Sequence, residues 1–255
     1  MLPIVVFPLH DPEGLIFPHL ETILPALRQA FAQAVVGVTP ITLQQRPNQI
    51  QALNQDSFFR VIGTPQAPVG AQFSYLYTQA ALLNAPQQML HLCFIDRLAF
   101  ILQNQHRAQF LQDLQQTSLQ DTPMLFVRSK AAWQSHPQNY YAIEQFATQA
   151  GQFLFGQSLD FTWCHLAVQA SQLAEIMPGV TAQDLSMLAE MVLYLNEVIK
   201  VKEVDWLEWE DPFLLSRDVP DLKSERENSV VETRKRLAYI IPTLQALLRY
   251  SQNKT

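Results

Sequence analysis

An α/β fold with a largely parallel central sheet is the expectation for this chain, and three observations lead to it. Short β-branched runs alternate with segments whose apolar residues recur at helical spacing, the pattern of right-handed βαβ units. The apolar run Met89-Leu90-His91-Leu92-Cys93-Phe94-Ile95 breaks off at Asp96-Arg97, as a buried strand does when it delivers a charged residue to the rim of a sheet. Composition agrees: 48% of the 255 residues are hydrophobic and 16% are charged, enough for a sizeable core.

The elements follow in order. Pro3-Ile4-Val5-Val6-Phe7, closed by Pro8 and Pro12, reads as a central strand. Leu20, Ile23, Leu24, Leu27 and Phe31 line one face of a helix over 19–33. Residues 34–39, stopped by Pro40, form a second strand, and a weak helix near 48–54 leads to a third at 58–63. A helix over 70–83 precedes the strand that ends at Asp96. Beyond it the alternation loosens: one helix through Leu98, Ile101, Leu102, Phe110, Leu111 and Leu114, a strand at 124–127, a helix at 139–155, a strand at 159–164 and a helix at 166–177. An amphipathic helix over 184–199, a strand over 201–209, an irregular acidic loop and a helix from about 230 to 250 complete the reading. Pro242 is expected to kink that last helix.

Charge and cysteine usage narrow the function classes. A net charge of -6 and a pI near 5.5 argue against a general nucleic-acid binder, which needs clustered Lys and Arg. The two cysteines, Cys93 and Cys164, lie in apolar segments outside any CxxC pair, as buried thiols in a reducing compartment would; a cytoplasmic location is expected. Residues 2–7 lack a basic lead-in and do not read as a secretory leader, and no run reaches the ~20 apolar residues of a membrane span. Arg234-Lys235-Arg236 ahead of Leu237, Ile240, Ile241, Leu244 and Leu247 reads as a packed last helix with a basic end, peripheral membrane contact being the other reading. No GxSxG, P-loop, GxGxxG after the first strand, or HExxH occurs, which counts against hydrolase, kinase, dinucleotide and zinc-protease chemistry.

In an open α/β sheet, ligands bind at the carboxyl ends of the strands, where Asp96 falls. The residue also fits a helix N-cap, since a helical pattern starts at Arg97. His10 and Asp11 follow the first strand and Thr39 the second; each also reads as a plain turn residue. Trp206 and Trp209, beside Glu208 and Glu210, read either as core or as a stacking surface.

Four segments, in chain order, resemble the GT-A class of nucleotide-diphospho-sugar transferases. Val5-Val6-Phe7-Pro8-Leu9-His10-Asp11-Pro12-Glu13-Gly14 is similar to the opening strand and Pro-x-(Tyr/His)-(Asn/Asp) turn of that class. Pro68-Val69-Gly70-Ala71-Gln72-Phe73 resembles its small-residue turn against the nucleotide, and Phe94-Ile95-Asp96 stands where the class places Asp-x-Asp. Asp205-Trp206-Leu207-Glu208-Trp209-Glu210 resembles its late acidic-aromatic strand, and the correspondence is looser in the second half.

The resemblance implies a single Rossmann-like GT-A domain over 1–255, with a nucleotide-binding half at 1–97 and an acceptor-side half with a C-terminal helix at 98–255. It implies a glycosyltransferase that uses a nucleotide sugar as donor toward an unknown acceptor. Pro8, His10, Asp11, Thr39, Gly70, Asp96 and Arg97 would bind the donor. Asp96 would hold Mg²⁺ or Mn²⁺, and a carboxylate among Asp184, Glu208 and Glu210 would serve as general base. Two departures accompany it. Phe94 replaces the first carboxylate of the metal turn and ligates nothing, which leaves metal dependence doubtful, with Arg97 as a partial substitute at the phosphates. Only Asp184 survives of the late acidic pair. A non-catalytic relative serving as a nucleotide-sugar binding or protein-interaction module is the alternative.

Overall fold

The computed structural model describes residues 1–252. In its first half, β1 (Ile4–Leu9), α1 (Phe17–Ala30), β2 (Gln33–Val38), α2 (Pro40–Gln45), α3 (Pro47–Gln55), β3 (Phe59–Gly63), α4 (Val69–Leu82) and β4 (Met89–Cys93) follow in order. Then come α5 (Ile95–Gln103), α6 (Arg107–Thr117), β5 (Met124–Arg128), α7 (Lys130–Ser135), α8 (Gln138–Phe155), β6 (His165–Gln169) and α9 (Ala170–Ile176). A 3-10 turn (Met177–Gly179), α10 (Met187–Leu195), β7 (Lys200–Val204), α11 (Asp211–Leu214), α12 (Val219–Glu227) and α13 (Val230–Gln252) close the chain.

All seven strands form one sheet in the order β3-β2-β1-β4-β6-β5-β7. The four strands of the first half are adjacent and parallel, Val6 standing opposite Val35 on one side and Leu92 on the other. β6 runs antiparallel to both β4 and β5, while β7 returns to pair parallel with β5. Chain direction thus reverses next to β4, and the sheet's switch point lies between β1 and β4, at the ends that carry His10 and Phe94.

Alternation along β1 divides the core between the two faces. Val5, Phe7 and Leu9 pack with α1, α5 and α6; Ile4 and Val6 pack with α4, α9 and α10. Every residue of β1 is buried, as expected of a central strand covered on both sides.

Several boundaries differ from expectation. The run 163–168 is apolar except for His165, and such a run does not reveal its period; the strand expected at 159–164 is displaced to β6, while the helix expected at 166–177 shrinks to α9. The helix expected through 98–114 is two, separated around Asn104, whose carboxamide oxygen accepts the His106 N–H at 2.8 Å. The last strand stops at Val204 instead of running to 209, and the helix expected over 184–199 spans only Met187–Leu195. The acidic loop contains α11 and α12, the latter capped by the Asp218 carboxylate. α13 continues through Pro242.

Candidate functional site

The strand ends at the switch point open into a cleft of about 750 Å³. Pro8, His10 and Asp11 from the end of β1, Thr39 after β2, and Phe94 and Asp96 after β4 line one side; Asp211, Leu214, Leu215 and Arg226 close the other. Five of the expected donor residues, Pro8, His10, Asp11, Thr39 and Asp96, therefore meet in one concavity although 88 positions separate Pro8 from Asp96.

His10 Nδ1 and Thr39 Oγ1 lie 3.1 Å apart, and Thr39 is 3.0 Å from the Thr42 hydroxyl. Thr42 in turn accepts the Asp11 N–H at 2.8 Å, so the ends of the first two strands are tied together. Asp11 is buried, and its two carboxylate oxygens accept the N–H groups of Leu15 and Ile16, each at 2.8 Å. That carboxylate shapes the turn into α1.

Asp96 is not a helix cap. Phe94 holds the N-cap position of α5, and Asp96 sits in the first turn, where its Oδ1 accepts the neighbouring Arg97 N–H at 2.8 Å. The positive end of the helix dipole is at hand for an anion there. Phe94, in place of a carboxylate, packs its ring 5.8 Å from that of Phe73.

Gly70 has a structural assignment. It is buried, its N–H donates to the Gln183 carbonyl at 2.9 Å, and a Cβ there would come within 2.3 Å of the Asp184 backbone oxygen. The small-residue turn admits the 183–184 backbone, while its neighbours Val69, Gln72 and Phe73 line the cleft.

A second chamber, of about 170 Å³, adjoins the first, and Phe94 and Asp96 line both. Leu185, Leu188, Arg128, Glu144, Arg236 and Tyr239 are among its walls, and so are Arg97 and Glu210. Arg97 thus points away from the main cleft: its guanidinium is ion-paired with the buried Glu210 carboxylate. Of the three candidate bases, Glu210 alone lines the chamber. Asp184 is exposed and accepts both the N–H and the hydroxyl of Ser186, and Glu208 lies 3.3 Å from His106 Nε2. Trp206 and Trp209 are core residues, and Trp206 Nε1 donates to the buried Asp113 carboxylate at 2.9 Å.

Arg128 is clamped by Glu144 at 2.6 Å and Asp160 at 3.2 Å, and Arg236 reaches Glu144 at 3.0 Å. Burial by itself would raise the Glu144 carboxyl; the two guanidiniums outweigh it and hold the group below its usual range.

Arg226 and Asp211 were not anticipated. They come from the segment read as an acidic loop, and Arg226 is the lone Arg or Lys among the described residues lining the main cleft. It pairs with Glu232 at 2.8 Å and lies 4.0 Å from Asp211. A run of mixed charges carries no sign of which member will turn inward.

Among the described residues, the single group of three ligand-type side chains within 4.8 Å of one another is His91, Cys93 and His165, and it lies in the core. His91 Nε2 and His165 Nδ1 are 2.8 Å apart under Phe110, Phe126 and Trp206. Burial lowers the His91 pKa to about 3 and depresses that of His165 as well, so both imidazoles are neutral. The main cleft has no such ready-made cluster; Asp96 offers one carboxylate, the number by which Mg²⁺ and Mn²⁺ are often held when substrate phosphates complete the shell.

No protein-family model matches the chain, and no curated protein matches it. Solved structures do. A glucosyl-3-phosphoglycerate synthase from Mycobacterium tuberculosis, in complex with Mn²⁺, uridine-diphosphate and phosphoglyceric acid, superimposes with a TM-score of 0.54 at 11% identity, over 98% of this chain and 78% of that one. A second structure of the same M. tuberculosis enzyme gives 0.52 at 13% identity, over 96% and 80%. Identity this low establishes shared architecture: the chain has the GT-A fold of nucleotide-diphospho-sugar transferases.

Proposed function

We propose that this protein is a glycosyltransferase that takes a nucleotide-diphospho-sugar in the main cleft and an acceptor in the adjoining chamber. The observation that carries the reading is the junction: Phe94 and Asp96 line both cavities, so a donor on one side and an acceptor hydroxyl on the other would meet beside the Asp96 carboxylate. The M. tuberculosis structure, with uridine-diphosphate, Mn²⁺ and phosphoglyceric acid in the same fold, supports it by analogy.

In this reading, His10 and Thr39 contact the nucleoside end and Asp96 lies at the diphosphate. Four carboxylates, Asp11, Glu13, Asp96 and Asp211, line a cleft that has one guanidinium, Arg226. A dianionic donor entering that field needs added positive charge, so a divalent cation would arrive with the diphosphate and be held by Asp96. Bound there, it would neutralise the leaving group. Arg226 adds fixed positive charge at the same end, the part first assigned to Arg97. Glu210, which lines the adjoining chamber, would accept the acceptor's hydroxyl proton as the oxygen bonds to the sugar and the bond to diphosphate breaks, with Arg97 positioning it.

The test is a thermal-shift and calorimetric series with uridine and guanosine diphosphates and their glucose and mannose esters, with and without Mn²⁺. Ligands that bind the native state alone raise its stability. The expected result is nucleotide binding strengthened by Mn²⁺, with no Mn²⁺ binding in the absence of nucleotide. Failure of every nucleotide to bind under either condition would overturn the reading.

A further inference from the structure

A third cavity, of about 410 Å³, lies on the other side of Arg128 from the acceptor chamber, between α7, α8, the 158–160 turn and the ends of β5 and β7. Its size falls in the range of small-molecule sites, roughly 300–1,000 Å³. The reading of the main cleft makes no use of it.

Its lining has a particular chemistry. Gln134, Gln138, Gln145, Thr148 and Ser158 present neutral amides and hydroxyls, and none of these side chains makes a hydrogen bond among the described residues. Each such group both donates and accepts. Trp133 and Tyr141 supply the aromatic surface, their rings 5.3 Å apart and inclined at 62° to each other. Trp133 is fixed from behind by the Arg128 guanidinium, 4.0 Å from its ring, while Tyr141 is 37% exposed and free to take a ligand on its face.

Charge does not single out an anionic ligand. Arg128 is spent on Glu144 and Asp160, and the other charged lining residues, Lys130 and Glu203, are of opposite sign, so the wall carries no net positive charge to draw in a phosphate or carboxylate. The remaining pattern is uncommitted neutral donors and acceptors around a rigid aromatic pair. It complements a ligand with hydroxyls around its edge and an apolar C–H face, which is the surface of a sugar ring.

We propose that this cavity is a binding site for a neutral saccharide, separate from the nucleotide cleft, with the sugar seated against Tyr141 and hydrogen-bonded by Gln138, Gln145 and Thr148. The test is a titration of the full chain with D-glucose, maltose, sucrose and trehalose, read by tryptophan fluorescence and by saturation-transfer NMR. At least one of these sugars should bind saturably. The double variant Tyr141→Ala with Gln145→Leu, both on the outward side of α8, should weaken it at least about tenfold with unchanged circular dichroism, since stacking and hydrogen bonds are lost together. Asp96→Asn, in the main cleft, should leave it intact. No saturable binding of any of the four sugars, binding that survives the double variant, or binding that Asp96→Asn removes would each overturn the proposal.

Discussion

Asp96 keeps one carboxylate oxygen on the N–H of its own neighbour and lines two cavities at once, so its charge faces ligand space and contributes little to the core. An asparagine preserves an acceptor oxygen there. Asp96→Asn is therefore expected to remove the Mn²⁺-dependent gain in nucleotide affinity while the melting temperature stays nearly unchanged, which calorimetry and a thermal melt would check together; a large drop in melting temperature would instead assign the carboxylate to the fold. Glu210→Gln separates the second cavity from the first. It should leave donor binding intact and lower turnover by about 10²–10⁴-fold, the usual span for losing a general base. At this scale the residue types were readable and their aim was not. Arg97 follows Asp96 directly, but it turns to Glu210, and the guanidinium in the main cleft comes from Arg226, 130 positions after Asp96.

The elements hold these side chains by a few close contacts between segments far apart in sequence. Gly70 is one: a methyl group placed 2.3 Å from the Asp184 carbonyl would push the start of α4 away from the 183–184 backbone. Gly70→Ala should cost about 1–3 kcal/mol of stability, the usual range for overpacking, and should weaken nucleotide binding as well, because Val69, Gln72 and Phe73 move with the helix. Urea unfolding and the nucleotide titration read the two effects. Arg128 is another. Standing at the end of β5, it joins α8 through Glu144 to the 160–162 turn through Asp160 and the Thr162 carbonyl. Arg128→Met would strip the buried Asp160 of its ion pair and leave Glu144 with Arg236 alone, and a loss of about 3–5 kcal/mol is expected in the same urea assay. Central strands and amphipathic helices were legible as periodicity. The edges of elements in the second half were not, since a mainly apolar run such as 163–168 serves a strand or a buried helix equally well, and only pairing with β4 and β5 selects the strand.

For the whole molecule, the buried histidines set the acid limit of stability. His91, His165 and His136 are all depressed, chiefly by burial, with His91 at about 3. In the unfolded chain each would take up a proton near 6.5, so as pH falls below that value the unfolded state binds more protons than the native one. The stability these neutral side chains confer is complete above about pH 6.5 and erodes as pH falls, for His91 down to about pH 3, by up to about 1.4 kcal/mol per pH unit for each histidine. Urea midpoints should accordingly fall between about pH 6.5 and about pH 5, above the range in which most carboxylates titrate. A flat midpoint across that interval would show that the histidines are protonated in the folded protein.

Local order along the chain was enough to establish the α/β class, the four parallel strands of the first half and the gathering of His10, Asp11, Thr39 and Asp96 at one rim, because a parallel sheet brings the residue after each strand to the same edge. Tertiary structure decided the rest. The antiparallel β6, the turning of Arg97 into the second chamber, the delivery of Arg226 to the first and the presence of Glu210, without Asp184 or Glu208, in the second chamber's wall all depend on contacts between segments that no local period relates. Hydrophobic spacing reports which side of an element is buried; it carries no information about which distant charge will be there to meet it.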